Sequence, residues 1–215
     1  MIEQTGFHSG IYHEGFAIRV ADEARRIRHE GVLTHLYTQG RNLIKEQGWE
    51  YPLDIIEEPN VLQMGTGGFS TASTFVNFVE GINPKAHITI ADFSQYPLQD
   101  CANEGLNDKA NVSLVRTDTT KLGFADNSFD LLETDGILQF LNPEQKKTAL
   151  SEWYRVLKPG GVVTTRDRFV SVHAKPQDWD ELNRVRGAIK NVFGVNSYPT
   201  TTEVMRYTFN SQGFS

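Results

Sequence analysis

The chain has 215 residues, 39% of them hydrophobic and 22% charged, the balance of an ordinary globular domain and not of a disordered, collagen-like or coiled-coil chain. Lys+Arg 21 against Asp+Glu 27 leaves a net charge of −6 without a basic run, so neither a nucleic-acid backbone binder nor a polybasic membrane anchor is expected. The single cysteine, Cys101, excludes an internal disulfide and a cysteine-rich zinc site and fits a cytoplasmic location. The polar start is no secretory signal, and no stretch has the roughly 20 apolar residues of a membrane span.

In chain order, residues 1–50 read as a helical preface. Asp22 to Arg28 is charged and rich in helix formers, and Val32, Leu33, Leu36, Leu43 and Ile44 have the spacing of one apolar stripe, with Gly31, Gly40 and Gly48 as expected breaks. Arg25, Arg26 and Arg28 are flanked by Glu23 and Glu30 and read as a solvated helix face. From Asn60 onward the pattern changes to short apolar runs: Val61–Met64, Ile88–Ala91, Val112–Val115, Leu131–Thr134 and Val162–Thr165 are five buried strands. Between them Ser70–Glu80, Pro97–Gly105 and Pro143–Leu157 read as helices, the last opened by an Asn142 cap with a first-turn proline and closed by Pro159-Gly160-Gly161. Such alternation predicts an α/β fold, a doubly wound, Rossmann-like, mostly parallel sheet with helices on both faces. A ligand then lies at the carboxyl ends of the strands, where the strand order reverses.

Chemistry gathers at those ends. Val61-Leu62-Gln63-Met64 runs into Gly65-Thr66-Gly67-Gly68, whose glycines permit a tight turn and close approach of a ligand; a bland turn is the alternative. Asp92 ends the next strand, placed to accept from both hydroxyls of a ribose or to serve as a loop cap. Asp118 follows the third strand, placed to accept from an adenine amino group, whereas Asp126-Asn127-Ser128 has only a turn role. Glu152 to Gly161 is structural punctuation. The six histidines show no ligand spacing, so no metal is expected. Trp49, Trp153 and Trp179 read as packing residues, and Cys101 as an inert apolar filler.

Taken in order, these blocks resemble the class I S-adenosylmethionine-dependent methyltransferases of the small-molecule branch, over about residues 60–168. The most specific piece is Phe124-Ala125-Asp126-Asn127-Ser128-Phe129-Asp130 followed by Arg155-Val156-Leu157-Lys158-Pro159-Gly160-Gly161. The resemblance implies S-adenosyl-L-methionine as cofactor. Gly65, Thr66 and Gly67 then line its methionine part, Asp92 holds the ribose diol, and Phe93 packs on the adenine. Asp118 with Thr119 reads the adenine edge, and Thr134 and Asp135 lie beside the sulfonium and the substrate, with Asp135 the candidate base. Residues 1–58 correspond to a helical lid, in which Tyr12, His13 and Tyr37 each read first as core or surface packing and otherwise as a substrate contact, and 59–215 to the cofactor-binding domain. Arg166 and Arg168 face the substrate side, as an anchor for an acidic acceptor or as a solvated loop.

Three departures stand against the family pattern. Gln63 replaces an acid, Phe69 replaces a third glycine and is expected to narrow the turn, and a C-terminal strand hairpin is missing: Thr201–Gln212 reads as the final helix and Gly213-Phe214 as its exit. The fifth strand is thus expected at an open edge, covered by a second copy, a separate chain or further residues. A small-molecule acceptor is the default, with neither nucleic acid nor membrane as partner. The rival readings are a non-catalytic methyltransferase-like subunit, an NAD(P)-dependent oxidoreductase on the Gly65-x-Gly67-x-x-Ser70 pattern, and a pericyclic or isomerising enzyme that keeps the cofactor as a fixed charge.

Overall fold

The computed structural model describes residues 23–167 and, beyond them, 169–170, 180, 183–184, 186–187, 190–191, 198, 200–201 and 214. Strands β1 (Asn60–Met64), β2 (His87–Asp92), β3 (Val112–Arg116), β4 (Phe129–Asp135) and β5 (Leu157–Arg166) pair in parallel in the spatial order β3-β2-β1-β4-β5. The order reverses between β1 and β4, the place where a parallel sheet of this order is expected to open a crevice at the carboxyl ends of its strands. This is the α/β fold expected from the alternation of apolar runs and amphipathic segments.

Because side chains alternate along a strand, the sheet feeds two cores. Val61, Ile88, Ile90 and Leu131 pack with Leu33 of α1 (Glu23–Glu46), Leu53 of α2 (Pro52–Ile55), Phe75 and Val76 of α3 (Phe69–Ile82) and Leu98 of α4 (Gln95–Asn103). Leu62, Met64 and Leu132 pack with Ala149, Leu150 and Trp153 of α5 (Pro143–Val156). A capping box starts α5: the Asn142 side chain accepts from the Gln145 amide, and the Gln145 side chain accepts from the Asn142 amide.

Four expectations change. Helix α1 runs unbroken through Gly31 and Gly40, and only Gly48, at φ +81° beyond its end, is a break. Leu33 and Tyr37 are buried in the core, Ile44 packs partly against it and Gly40 faces Thr164 of β5, while Val32, Leu36 and Leu43 are exposed, so no single stripe of the five residues is buried. Pro159-Gly160-Gly161 does not end α5, which stops at Val156. Leu157 already pairs with Phe129, and the proline–glycine run forms a bulge before Val162 pairs with Leu131. A Cβ on Gly161 would lie 2.8 Å from the Lys158 carbonyl, so the bulge requires glycine there.

The fourth change lies at the C-terminal side. Thr201 belongs to a strand, not to a helix. β6 (Phe169–Val170) and β7 (Thr200–Thr201) pair with each other apart from the main sheet, so the sheet has the five expected strands and two short ones lie beside it. Among the described residues no strand covers the outer edge of β5. Trp153 is fully buried but Trp49 is 56% exposed, and Trp179 lies outside the described residues, as do Tyr12, His13, Arg168 and 202–212. Among the described residues no helix is long and apolar enough to cross a membrane, and no cluster of His, Cys, Asp and Glu could hold a metal ion.

Candidate functional site

The carboxyl end of β1 enters a turn of three glycines in the positive-φ region, Gly65 at 80°, Gly67 at 67° and Gly68 at 155°. A Cβ on Gly65 would fall 2.6 Å from Cγ1 of Ile137, whose side chain lies against the turn from beyond β4. The turn is stitched to β2 by the Gly65 amide, which donates to the Ala91 carbonyl at 2.9 Å. Gly68 caps α3 and Phe69 is its first residue, partly buried against the core, its amide donating to Asp100 Oδ2 at 2.7 Å.

Asp92 ends β2 beside this turn and is 4% exposed. Burial pushes its carboxyl up to about 6, opposed by the backbone amides of Ser94, Gly67, Thr66 and Phe93; the Ser94 amide donates to Oδ1 at 2.8 Å. Among the described residues no cation pairs with it. The Asp92 carbonyl accepts from the Thr117 amide at 2.9 Å, which brings the loop after β3 to the same end. There Asp118 Oδ1 accepts from both the amide and the hydroxyl of Thr120, each at 2.8 Å. The Thr119 hydroxyl is turned inward, accepting from the Trp153 indole at 2.8 Å. Phe93 is half-buried, and its carbonyl accepts from Arg116 Nε at 2.9 Å.

On the other side of the crevice, Thr134 is fully buried and donates to the Thr165 hydroxyl at 2.8 Å. Asp135 is half-buried and held by the Arg166 guanidinium, which donates from Nε at 2.8 Å and from Nη2 to the second oxygen. That fork-to-fork pairing fixes both side chains. The fold thus brings Gly65, Thr66, Gly67, Asp92, Phe93, Asp118, Thr119, Thr134 and Asp135 to one end of the sheet. It turns the hydroxyls of Thr119 and Thr134 to protein partners.

Sequence reasoning missed a buried polar row beneath α1. Gln63, Glu133 and Thr164 occupy neighbouring register positions on β1, β4 and β5. Gln63 Nε2 donates to Tyr37 Oη at 3.3 Å, and the Thr164 hydroxyl donates to Glu133 Oε2. Tyr37 is 5% exposed and packs edge-on against Phe75, so it is held in the protein interior. Burial and the nearby Glu133 and Asp135 charges raise its phenol. Burial pushes Glu133 up to about 8. The available signals were an amide at position 63 and a carboxylate at position 133 amid the apolar residues of β4, which acquire meaning only as neighbours.

Residues 61–161 match the family described as a methyltransferase domain. An uncharacterized protein of Haemophilus influenzae is 33% identical over 125 residues, 58% of this chain and 46% of that protein. The demethylmenaquinone methyltransferase of Listeria welshimeri is 36% identical over 110 residues, 50% of this chain and 44% of that enzyme. The chain thus spans about half the length of the curated relatives it matches. Among solved structures, the complex of the Haloferax volcanii Trm112 methyltransferase activator with a putative methyltransferase aligns with TM-score 0.62 at 17% identity, over 90% of this chain and 74% of that one. A phosphoethanolamine N-methyltransferase of Haemonchus contortus, bound to S-adenosylhomocysteine, aligns with TM-score 0.59 at 18% identity, over 82% and 37%. At such identities the structural likeness is one of fold.

Proposed function

We propose that this chain, which belongs to the class I S-adenosylmethionine-dependent methyltransferases, moves the cofactor's methyl group to an O, N or C atom of a small molecule. The observation that carries the reading is Asp92, a buried carboxylate with no cation partner among the described residues, at a strand tip beside a three-glycine turn. Acceptor-only oxygens at that place suit a pair of ribose hydroxyls. The positive φ of Gly65 and Gly67 gives the tight turn, and glycine at 65 is also required by the Ile137 side chain packed against it.

In this reading Gly65, Thr66 and Gly67 line the methionine part, Asp92 holds the ribose, and Phe93 covers one adenine face. Asp118 takes the adenine amino group on the oxygen not engaged by Thr120. The inward hydroxyls of Thr119 and Thr134 leave their backbone groups as the contacts available to the cofactor. The bound sulfonium supplies an activated methyl group, so no protein nucleophile is needed and the protein's task is alignment and exclusion of water. Asp135 accepts the acceptor's proton on whichever oxygen Arg166 releases, and Arg166, freed on one side, is placed to hold an anionic acceptor.

The test is thermal melting with S-adenosylmethionine, S-adenosylhomocysteine and NAD, followed by a methyl-transfer assay that starts with quinol acceptors because of the demethylmenaquinone relatives. At a hundredfold excess over Kd, a native-state ligand adds roughly 2.7 kcal/mol, a rise of roughly 5–10 °C. A rise with the adenosyl compounds and none with NAD supports the reading. No rise with the adenosyl compounds favours a methyltransferase-like subunit, a reading suggested by the activator complex and by β5 being the edge strand among the described residues, which a second copy, a separate chain or further residues would cover. A monodisperse monomer in light scattering would count against that covering partner.

A further inference from the structure

Beneath α1, Gln63 stands opposite Glu133, and Glu133 opposite Thr164. Residues so placed on neighbouring strands share a face about 5 Å apart. Gln63 is fully buried, and among the described residues its Oε1 is the one buried side-chain polar atom without a partner. An unmet buried carbonyl is costly, so the site calls for a donor. The Thr164 hydroxyl is given to Glu133, Gln63's own nitrogen is given to Tyr37, and the Arg166 guanidinium is given to Asp135. Glu133 is the remaining member of the row.

We propose that Glu133 is a neutral carboxylic acid whose hydrogen is donated to Gln63 Oε1, forming an acid–amide bond that joins β1 to β4 and, through Tyr37, latches α1 onto them. The groups that face Glu133 are Tyr37 of α1, Tyr51 ahead of α2, Gln63 of β1, Asp135 of β4, and Thr164 and Arg166 of β5. Asp54 of α2 is taken up by Arg41 and Lys45. Burial outweighs the Arg166 cation and the Thr164 hydroxyl, so the acid loses its proton only near 8. The bond lies one pleat below the crevice, since Gly65 follows Gln63 by two residues and Asp135 follows Glu133 by two. It is a positioning element for the proposed site.

The folded state holds this proton from the ordinary carboxyl value of 4.5 up to about 8, whereas the unfolded chain releases it at the lower value. The resulting stabilisation is complete below 4.5 and is lost as pH rises through about 8. A rival arrangement turns the Gln63 amide over, so that Tyr37 donates to its oxygen and its nitrogen donates to an ionised Glu133. That arrangement carries no proton.

Infrared and melting titrations of the full chain, native and Glu133→Gln, separate the two. The native protein is expected to show the carbonyl band of a neutral acid at pH 7, absent from Glu133→Gln and vanishing through about 8. Its folding constant is expected to fall relative to the variant by about tenfold per pH unit within that window. No band, together with parallel pH curves, overturns the proposal. Should Glu133→Gln fail to fold, the infrared titration of the native chain still decides. Native affinity for S-adenosylmethionine is also expected to weaken above pH 8 while that of Glu133→Gln stays level. Only this last readout rests on the proposed function, so total absence of cofactor binding would overturn that function and leave the proton to the first two.

Discussion

Asp92 and Asp130 are both buried carboxylates of the parallel sheet, at 4% and 5% exposure, yet they sit at opposite ends of it and are held differently. Asp130, near the start of β4, accepts from the Asn60 amide at 2.8 Å and from Lys158 Nζ at 2.7 Å, the lysine being delivered by the bulge that opens β5. Asp92, at the finish of β2, has backbone amides and, among the described residues, no cation, and burial lifts it to about 6. The first is complete as it stands and ties three strands together. The second is met by backbone amides alone among the described residues, and under the proposed function a ligand supplies the rest of its partners.

The sharpest way to break this contrast is to exchange the two phenotypes. Asp130→Ala strands Lys158 and the Asn60 amide, and is expected to cost about 3 kcal/mol of folding stability, short of the full penalty for a buried pair because Lys158 is part-exposed. Denaturant melts read that loss, while cofactor affinity in the folded fraction stays unchanged. Asp92→Asn keeps the shape and removes the charge. It is expected to weaken S-adenosylmethionine binding by about 2 kcal/mol, roughly thirtyfold in calorimetry, without comparable loss of stability.

The pH dependence sharpens the same comparison at smaller magnitude. Under the proposed function a proton competes with the ribose hydroxyls for Asp92, so affinity is expected to be level well above about 6 and to weaken as pH falls through it, by about tenfold one unit lower. Stability runs the opposite way. A folded value raised from 3.8 to about 6 stabilises fully below 3.8 and loses that contribution as pH rises through 6. Calorimetric titrations at several pH values, repeated on Asp92→Asn, isolate the effect. The smallest change is Asn142→Ala, which removes the capping box of α5 and touches neither carboxylate. It is expected to cost about 1 kcal/mol in stability and nothing in binding.

Much of the frame was legible because it depends on local pattern. Five apolar runs became five strands within a few residues of the expected ends, and Asn142-Pro143 opened α5 as its chemistry requires. The preface was harder to read. Gly31 and Gly40 break helices in isolation, but the packing of α1 on α3 and β5 outweighs the intrinsic penalty of about 1 kcal/mol for each glycine. Pro159-Gly160-Gly161 carries the same turn signal whether it ends a helix or bulges a strand. Only the pairing of Leu157 with Phe129 distinguishes the two.

By itself the sequence determined the alternation of strand and helix, the glycine turn after β1, and carboxylates at the tips of β2 and β4. Each of these follows from residue type and spacing along the chain. Tertiary structure alone decided that Thr119 turns to Trp153, that Asp135 is taken by Arg166, and that Gln63, Glu133 and Thr164 form one row under Tyr37. Those partners lie about thirty to seventy residues apart. What a buried polar group does is set by the donor or charge that folding brings within reach, and no local pattern encodes that neighbour.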